Sequence, residues 1–289
     1  MVYLCLLPLA LLTTLAHGIS LPQAVADKFG AKCLNGAPPT YELSRNYSST
    51  KWILFLEGGG WCQGDSVNAT RTSCAGRGGF VWPKPSVSGA GAAAASTADA
   101  QPRPSLSARY GSGADIGGVM SSNATTNPDF HTWNKVFMHY CDGASFGSNR
   151  HDPVDVFTHD GKPAQMWMRG RANFDGLISY IQTTIGMGAA NTTDVILSGG
   201  SAGGLAVFYN LDHLATMLRP NVRLTGFPDA GFFLDARAAT ADGTPTGAFA
   251  YRQHFIGADP LWNVTGSGGT NLKCLAANTG AEWKCLMAQ

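Results

Sequence analysis

The sequence predicts an α/β fold: a mostly parallel sheet with helices on both faces. Three observations carry this. Trp52-Ile53-Leu54-Phe55-Leu56 and Asp194-Val195-Ile196-Leu197-Ser198 are short apolar runs of the kind a parallel sheet buries on both sides. Segments with apolar residues at helical spacing alternate with such runs. Glycine-rich turns follow two of the predicted strands directly, at Gly58-Gly59-Gly60 and at Gly199-Gly200-Ser201-Ala202-Gly203. The 289 residues suffice for one large domain with a sizeable core, and no internal repeat divides them.

The elements follow in chain order. Residues 2–15 are almost wholly apolar and too short to span a bilayer comfortably, and Ala16-His17-Gly18 supplies the small residues a signal peptidase reads. A signal peptide is therefore expected over 1–18, an export leader with no later apolar stretch long enough for a stable membrane span. Residues 19–289 form the expected single domain. Its first strong strand is 52–56. Residues 83–118 are rich in Ala, Gly, Ser and Pro, include Gly89-Ala90-Gly91-Ala92-Ala93-Ala94-Ala95-Ser96, and read as a low-complexity surface insertion. A second strand is expected over 136–141. Phe174, Leu177, Ile178, Ile181 and Ile185 give helical spacing over 172–186, and that helix leads back to the 194–198 strand in a crossover unit. A further helix is expected over 204–214.

Composition narrows the partners. The net charge is +1 and only 13% of residues are charged, with no basic run to grip nucleic acid. With Cys5 in the leader, six of the seven cysteines remain: Cys33, Cys62, Cys74, Cys141, Cys274 and Cys285. An even set in an exported chain points to disulfides, and no C-x-x-C or paired His-Cys spacing suggests a metal. Six cysteines allow 15 pairings. Short loops favour Cys62–Cys74 and Cys274–Cys285, which leaves Cys33–Cys141. Asn46, Asn68, Asn123, Asn191 and Asn263 each begin an N-x-S/T sequon, so glycosylation is expected on some of them. The expected state is a monomer.

The chemistry concentrates in the two glycine turns. Strand, Gly-x-Ser-x-Gly and helix together make the context of a nucleophile elbow with Ser201 at its tip. A serine hydroxyl needs donors for the oxyanion that forms when it attacks a carbonyl. One donor is the backbone N–H of the following residue, Ala202. The other comes from a glycine-rich loop after an earlier strand, here Gly58-Gly59-Gly60-Trp61. That triplet as a phosphate cradle would need a Gly-Lys-Ser/Thr continuation, which is absent.

These residues also carry a resemblance. Trp52 through Cys62, Asn127-Pro-Asp-Phe130 with Trp133-Asn134, Tyr140-Cys-Asp-Gly143 with Ser145-Phe146, Ser198 through Gly204, and Pro228-Asp-Ala-Gly-Phe-Phe233 occur in this order. The chain resembles the pectin acetylesterase family, which also contains the secreted animal Notum lipid deacylases. The resemblance implies an α/β-hydrolase-like fold, ester hydrolysis by a serine nucleophile, and no metal or cofactor. The cysteine after Gly-Gly-Gly-Trp and the Tyr-Cys-Asp-Gly form favour O-acetyl groups on pectic galacturonan, an acetylated polysaccharide of the cell wall, over a fatty acyl group. Carried over residue by residue, the nucleophile is Ser201 and the oxyanion donors are Gly60, Trp61 and Ala202. Asp142 and Asp229 lie in family motifs and read as structural carboxylates bonded to loop N–H groups.

One departure matters. Family members run on past the position of Gln289, and the resemblance places the catalytic acid and histidine there, so the C-terminal part of the fold is expected to be missing. After Ser201 the chain offers His213, His254, Asp212, Asp229, Asp235 and Asp259. His213 falls in the helix behind the elbow, and no feature marks His254 as a base. His131, His139, His151 and His159 are scattered, without metal-ligand spacing. Three functions follow as expectations: a secreted carbohydrate esterase, a Notum-like lipid or protein deacylase, and a non-catalytic extracellular homologue that lacks its base.

Overall fold

The computed structural model describes residues 18–85, 117–240, 242–249 and 251–287. The expected leader, Gly18 apart, and most of the expected insertion lie outside them. The strands of the central sheet are β1 (Ile19–Ser20), β2 (Thr40–Ser44), β3 (Lys51–Leu56), β4 (Asn134–Met138), β7 (Asp194–Gly200) and β8 (Arg223–Asp229). They lie in the order β1-β2-β4-β3-β7-β8. β3, β4, β7 and β8 are parallel, and β1 and β2 add an antiparallel edge. Two hairpins stand apart: β5 (Val154–Phe157) with β6 (Pro163–Met166), and β9 (Arg237–Ala239) with β10 (Pro245–Phe249). The helices are α1 (Gln23–Phe29), α2 (Val67–Gly78), α3 (Gly170–Tyr180), α4 (Ala202–Met217), α5 (Arg252–Trp262) and α6 (Leu272–Ala277).

The pleat sorts the core. Trp52, Leu54, Leu56, Val136, Met138, Val195 and Leu197 face α1, α3 and α4 in the largest apolar cluster. Their alternates Ile53, Phe55, Phe137 and Ile196 face the opposite way and meet Val119, Met120, Phe130 and Trp133. Among the described residues, the helices thus cover one face and the 117–133 segment covers part of the other. The expected second helical layer is not among these residues. A separate cluster joins α2, α5 and the β5–β6 hairpin around Phe255, Trp262, Val156 and Met166.

The structure shifts several expected boundaries. The helix expected over 172–186 starts at Gly170 and winds into a π turn over Ile181–Ile185, which apolar spacing alone does not show. The strand expected over 136–141 ends at Met138, because Tyr140 N–H turns to Glu57 (2.8 Å) and Cys141 C=O turns to Leu34 N–H (3.0 Å). β7 takes in both glycines before Ser201, and α4 begins at Ala202. β2 and β8 have no counterpart in the sequence reading. β8 alternates in exposure and contains Pro228, which an edge strand tolerates, and β2 is a short mixed run of apolar and polar residues. Among the described residues β8 pairs only with β7, and Phe227 on it is 53% exposed.

Disulfides join Cys33 to Cys141, Cys62 to Cys74 and Cys274 to Cys285, the same three pairs that loop length selects. No helix among the described residues is long and apolar enough to cross a membrane.

Candidate active site

Parallel strands deliver their following turns to one edge of the sheet, and in α/β proteins ligands bind there. Ser201 sits at that edge between β7 and α4 with φ 55° and ψ −120°, a backbone conformation that a residue with a Cβ adopts only under constraint. Three hydrogen bonds hold the turn. Ser201 N–H donates to Asp229 C=O (2.9 Å), Leu205 N–H donates to Ser201 C=O (3.0 Å), and Ser198 Oγ donates to Phe227 C=O (2.9 Å). The Ser201 side chain is exposed, as an attacking hydroxyl requires.

The glycine loop after β3 packs on this turn. A Cβ on Gly58 would overlap the Gly200 carbonyl oxygen and stand 3.3 Å from Ser201 Cβ. A Cβ on Gly203 would overlap Leu56 C=O. Only glycine admits both approaches, and together they set the loop beside the serine. Among the described residues, the backbone N–H groups of Gly60 and Trp61 have no hydrogen-bond acceptor. Ala202 N–H is the first of α4 and precedes any intrahelical bond. Unspent donors next to an exposed serine are what an oxyanion site consists of.

A buried hydroxyl ties the two halves together. Trp61 Nε1–H donates to Ser145 Oγ (2.7 Å), which in turn donates to Ala202 C=O (2.7 Å). Ser145 itself has φ 54° and its N–H donates to Tyr140 Oη (2.9 Å). Burial pushes the Tyr140 phenol well up, so it stays protonated. The Trp61 ring meets Phe233 (4.6 Å), Phe255 (5.2 Å) and Tyr251 (6.0 Å) edge-on. Cys62, immediately after it, is fixed by its disulfide to α2 and by its N–H bond to Gly143 C=O (3.0 Å). Sequence reasoning quoted Ser145 within a motif but gave it no role. A residue that works through a single hydroxyl leaves no spacing signal.

The two motif carboxylates divide. Asp142 is fully buried, accepts from Phe146 N–H (3.1 Å) and Ser148 Oγ–H (2.7 Å), and is a structural clamp; burial raises its pKa. Among the described residues, no loop N–H bonds the Asp229 carboxylate, which is exposed. Its backbone carbonyl is the working group, holding Ser201 N–H, because the end of the strand rather than the side chain meets the elbow.

The remaining candidates are engaged elsewhere. His213 pairs with Asp175 (2.7 Å), His139 lies between Glu42 (3.2 Å) and Glu57 (3.3 Å), and His131 Nδ1 contacts Pro128 C=O (3.1 Å). His151 and His159 are exposed, and His254 Nδ1 is buried without a partner among the described residues. Asp212 accepts from Asn271 (2.6 Å), Asp235 is paired with Arg252, and Asp259 accepts from Val264 N–H (3.0 Å). No hydrogen bond among the described residues links a histidine to Ser201. None of the described His, Cys, Asp and Glu side chains form a group of three placed to hold a metal ion.

Of the five sequon asparagines, Asn68, Asn123 and Asn191 are exposed. Asn46 Nδ2 donates to Thr132 C=O (2.7 Å) and Asn263 Nδ2 to Asn149 C=O (3.3 Å).

Comparison with known proteins agrees with this geometry. Pectin acetylesterase 5 of Arabidopsis thaliana is 30% identical over 215 residues, covering 74% of this chain and 42% of that protein. The palmitoleoyl-protein carboxylesterase NOTUM of Drosophila melanogaster is 27% identical over 228 residues, covering 78% of this chain and 29% of its own. The chain spans less than half the length of these curated relatives. A crystal structure of the Wnt deacylase Notum from Drosophila superposes with a TM-score of 0.66 at 23% identity, covering 94% of this chain and 67% of that one, and shares the α/β fold. The sequence pattern of the family described as Pectinacetylesterase matches residues 17–288, which take in the elbow, the glycine loop and the Tyr140–Ser148 turn, and the chain belongs to that family.

Proposed function

We propose that this chain is a secreted serine esterase that removes acetyl groups from pectic galacturonan. The observation that carries the proposal is the approach of Gly58 to Ser201, which sets unspent N–H groups beside an exposed hydroxyl. Ser201 Oγ attacks the acetyl carbonyl. The N–H groups of Gly60, Trp61 and Ala202 receive the charge that develops on the carbonyl oxygen, the intermediate collapses by breaking the C–O bond to the sugar, whose oxygen leaves protonated as a free hydroxyl, and water then releases acetate from the acetyl-enzyme. Each donor in such a site is worth on the order of 3 kcal/mol of barrier. The proton from Ser201 passes to a general base, as the chemistry of a serine nucleophile requires. The disulfides and exposed sequons support export to an oxidising compartment.

The experiment is acetate release from acetylated pectin by the chain and by Ser201→Ala. Release that disappears in the variant supports the esterase, and equal release by both overturns it. No release by the unaltered chain assigns it to the non-catalytic reading. Acetyl and octanoyl esters of one alcohol separate the polysaccharide esterase from a Notum-like deacylase: a preference for octanoyl would overturn the acetyl assignment.

A further inference from the structure

A cavity of about 260 Å³ lies beside the turn that follows β4. Its walls are the end of α2 with Arg77, the 33–38 segment with Asn35, and the turn after β4 with Tyr140. The order β4-β3-β7 relates it to the nucleophile. Tyr140 follows β4, Gly58 follows β3 and Ser201 follows β7, all at the carboxyl ends of parallel strands. Two strand spacings, about 10 Å, therefore separate the Tyr140 turn from the elbow along one edge.

Arg77 is the distinctive group in this cavity. One of its N–H groups donates to Gly59 C=O (3.0 Å), and its guanidinium lies 4.9 Å from the Tyr140 ring centroid. Among the described residues, the cavity lining contains no carboxylate. The nearby Asp142 is buried and bonded to Phe146 and Ser148. Among the described residues, Arg77 has no ion-pair partner. A guanidinium has five donors in a planar fork that matches a carboxylate, and among the described residues one of them is committed, to Gly59 C=O. Lys32 over Trp167 (3.5 Å) adds a second cation on an aromatic face next to the same 33–38 segment, where Trp167 N–H donates to Leu34 C=O (3.0 Å).

We propose that this cavity is a subsite for a carboxylate-bearing sugar, with Arg77 reading the carboxylate and the Tyr140 side carrying the ring. The proposal rests on the galacturonan reading above and deepens it: the acetylated residue lies at Ser201, and a neighbouring uronate of the same chain lies at Arg77. Arg77 is thereby a specificity residue that selects acidic over neutral acetylated polysaccharides.

The test is calorimetric titration of the chain with a de-esterified galacturonate hexasaccharide and with a neutral galactose hexasaccharide. The acidic ligand should bind at least tenfold more tightly, and added salt should weaken it. Arg77→Gln should lower its affinity on the order of tenfold to a hundredfold, the worth of a charge-assisted hydrogen-bonded pair. Asn35→Asp is a second variant that leaves Arg77 and Gly59 alone. Its new carboxylate can keep the acceptor role that Asn35 Oδ1 plays for Ala37 N–H (3.0 Å), and it should repel the acidic ligand several-fold. Equal affinity for the two hexasaccharides, absence of binding, or unchanged affinity in a folded Arg77→Gln protein would each overturn the subsite. If Arg77→Gln does not fold, Asn35→Asp decides. The ligand carries no ester, so binding is independent of Ser201. Labelling of Ser201 by an activated phosphonate, run on the same samples, reports separately on the esterase reading.

Discussion

Ser145→Ala is the most direct challenge to the site's construction. The Ser145 hydroxyl is buried and makes two bonds at once, one from the Trp61 indole and one to Ala202 C=O. Removing it leaves the indole N–H without its acceptor, which costs about 1–3 kcal/mol. Losing the second bond adds about 1 kcal/mol, since Ala202 C=O keeps its place in α4. The expected loss is therefore about 2–4 kcal/mol, or a fall in Tm of roughly 3–7 °C for a chain of this length. Ser145→Gly sharpens the reasoning. It removes the same hydroxyl but relieves the φ of 54°, so it should recover up to about 1 kcal/mol relative to alanine. Urea unfolding followed by tryptophan fluorescence measures both, with the m-value held constant as the sign that only stability changed. If Ser145→Ala loses less than about 0.5 kcal/mol, the bridge does not hold the loop to the elbow. If glycine is less stable than alanine, the strain argument is wrong.

Ser201→Gly should be more stable than Ser201→Ala by about 1–3 kcal/mol and unfold at a higher temperature, because the φ of 55° at this position is strained for alanine and easy for glycine; differential scanning calorimetry reads the difference. The Cys33–Cys141 link closes a separation of 108 residues and Cys62–Cys74 one of 12, so chain entropy assigns about 5 and about 3 kcal/mol; paired Cys→Ser variants in urea should rank in that order. Asp142 has its carboxyl pKa raised by burial, so the folded state holds the proton to higher pH than the unfolded state does. Stability from this group is present at low pH and falls as pH rises from the ordinary carboxylate range through the raised value; Asp142→Asn should flatten that part of the pH–stability curve, and an unchanged curve would refute the assignment. Enzymatic deglycosylation with mass spectrometry of the secreted chain should find glycans at Asn68, Asn123 and Asn191 and none at Asn46 and Asn263, whose amides are spent on Thr132 and Asn149.

The legible parts of this molecule are those in which one physical signal dominates. β3 and β7 are buried on both faces, so their apolar runs stand out, and each is followed by a turn that only small residues can make. The three disulfides were legible from an even cysteine count and loop length because two of the loops are short. β8 was illegible because an edge strand alternates and can carry proline, and β2 because its five residues mix apolar and polar side chains without a clear period. Ser145 and Arg77 act through one hydroxyl and one guanidinium, at positions fixed by tertiary contact with Trp61 and Gly59. Asp229 misled for the opposite reason. Its side chain suggested a role, and the structure gives that role to its carbonyl.

The same carbonyl makes the nucleophile depend on the sheet edge. Ser201 keeps its strained conformation because Asp229 C=O and α4 hold it from two sides. Ser198 adds a bond to Phe227 on the same strand. Both acceptors lie on β8, whose seven register pairs with β7 run from Asp194↔Arg223 to Gly200↔Asp229. β7 is hydrogen-bonded on both sides, by β3 and by β8, whereas among the described residues β8 is hydrogen-bonded in the sheet only to β7, with α4 packed on one face. An edge strand with one neighbour opens more readily than a central one, because fewer hydrogen bonds and apolar contacts must break. When β8 frays at its carboxyl end, Ser201 N–H loses its acceptor and the strain at φ 55° loses one of its two restraints. The order of the catalytic turn is therefore set by the order of β8. Whatever covers Phe227 and the open side of that strand stabilises the serine geometry without touching the hydroxyl.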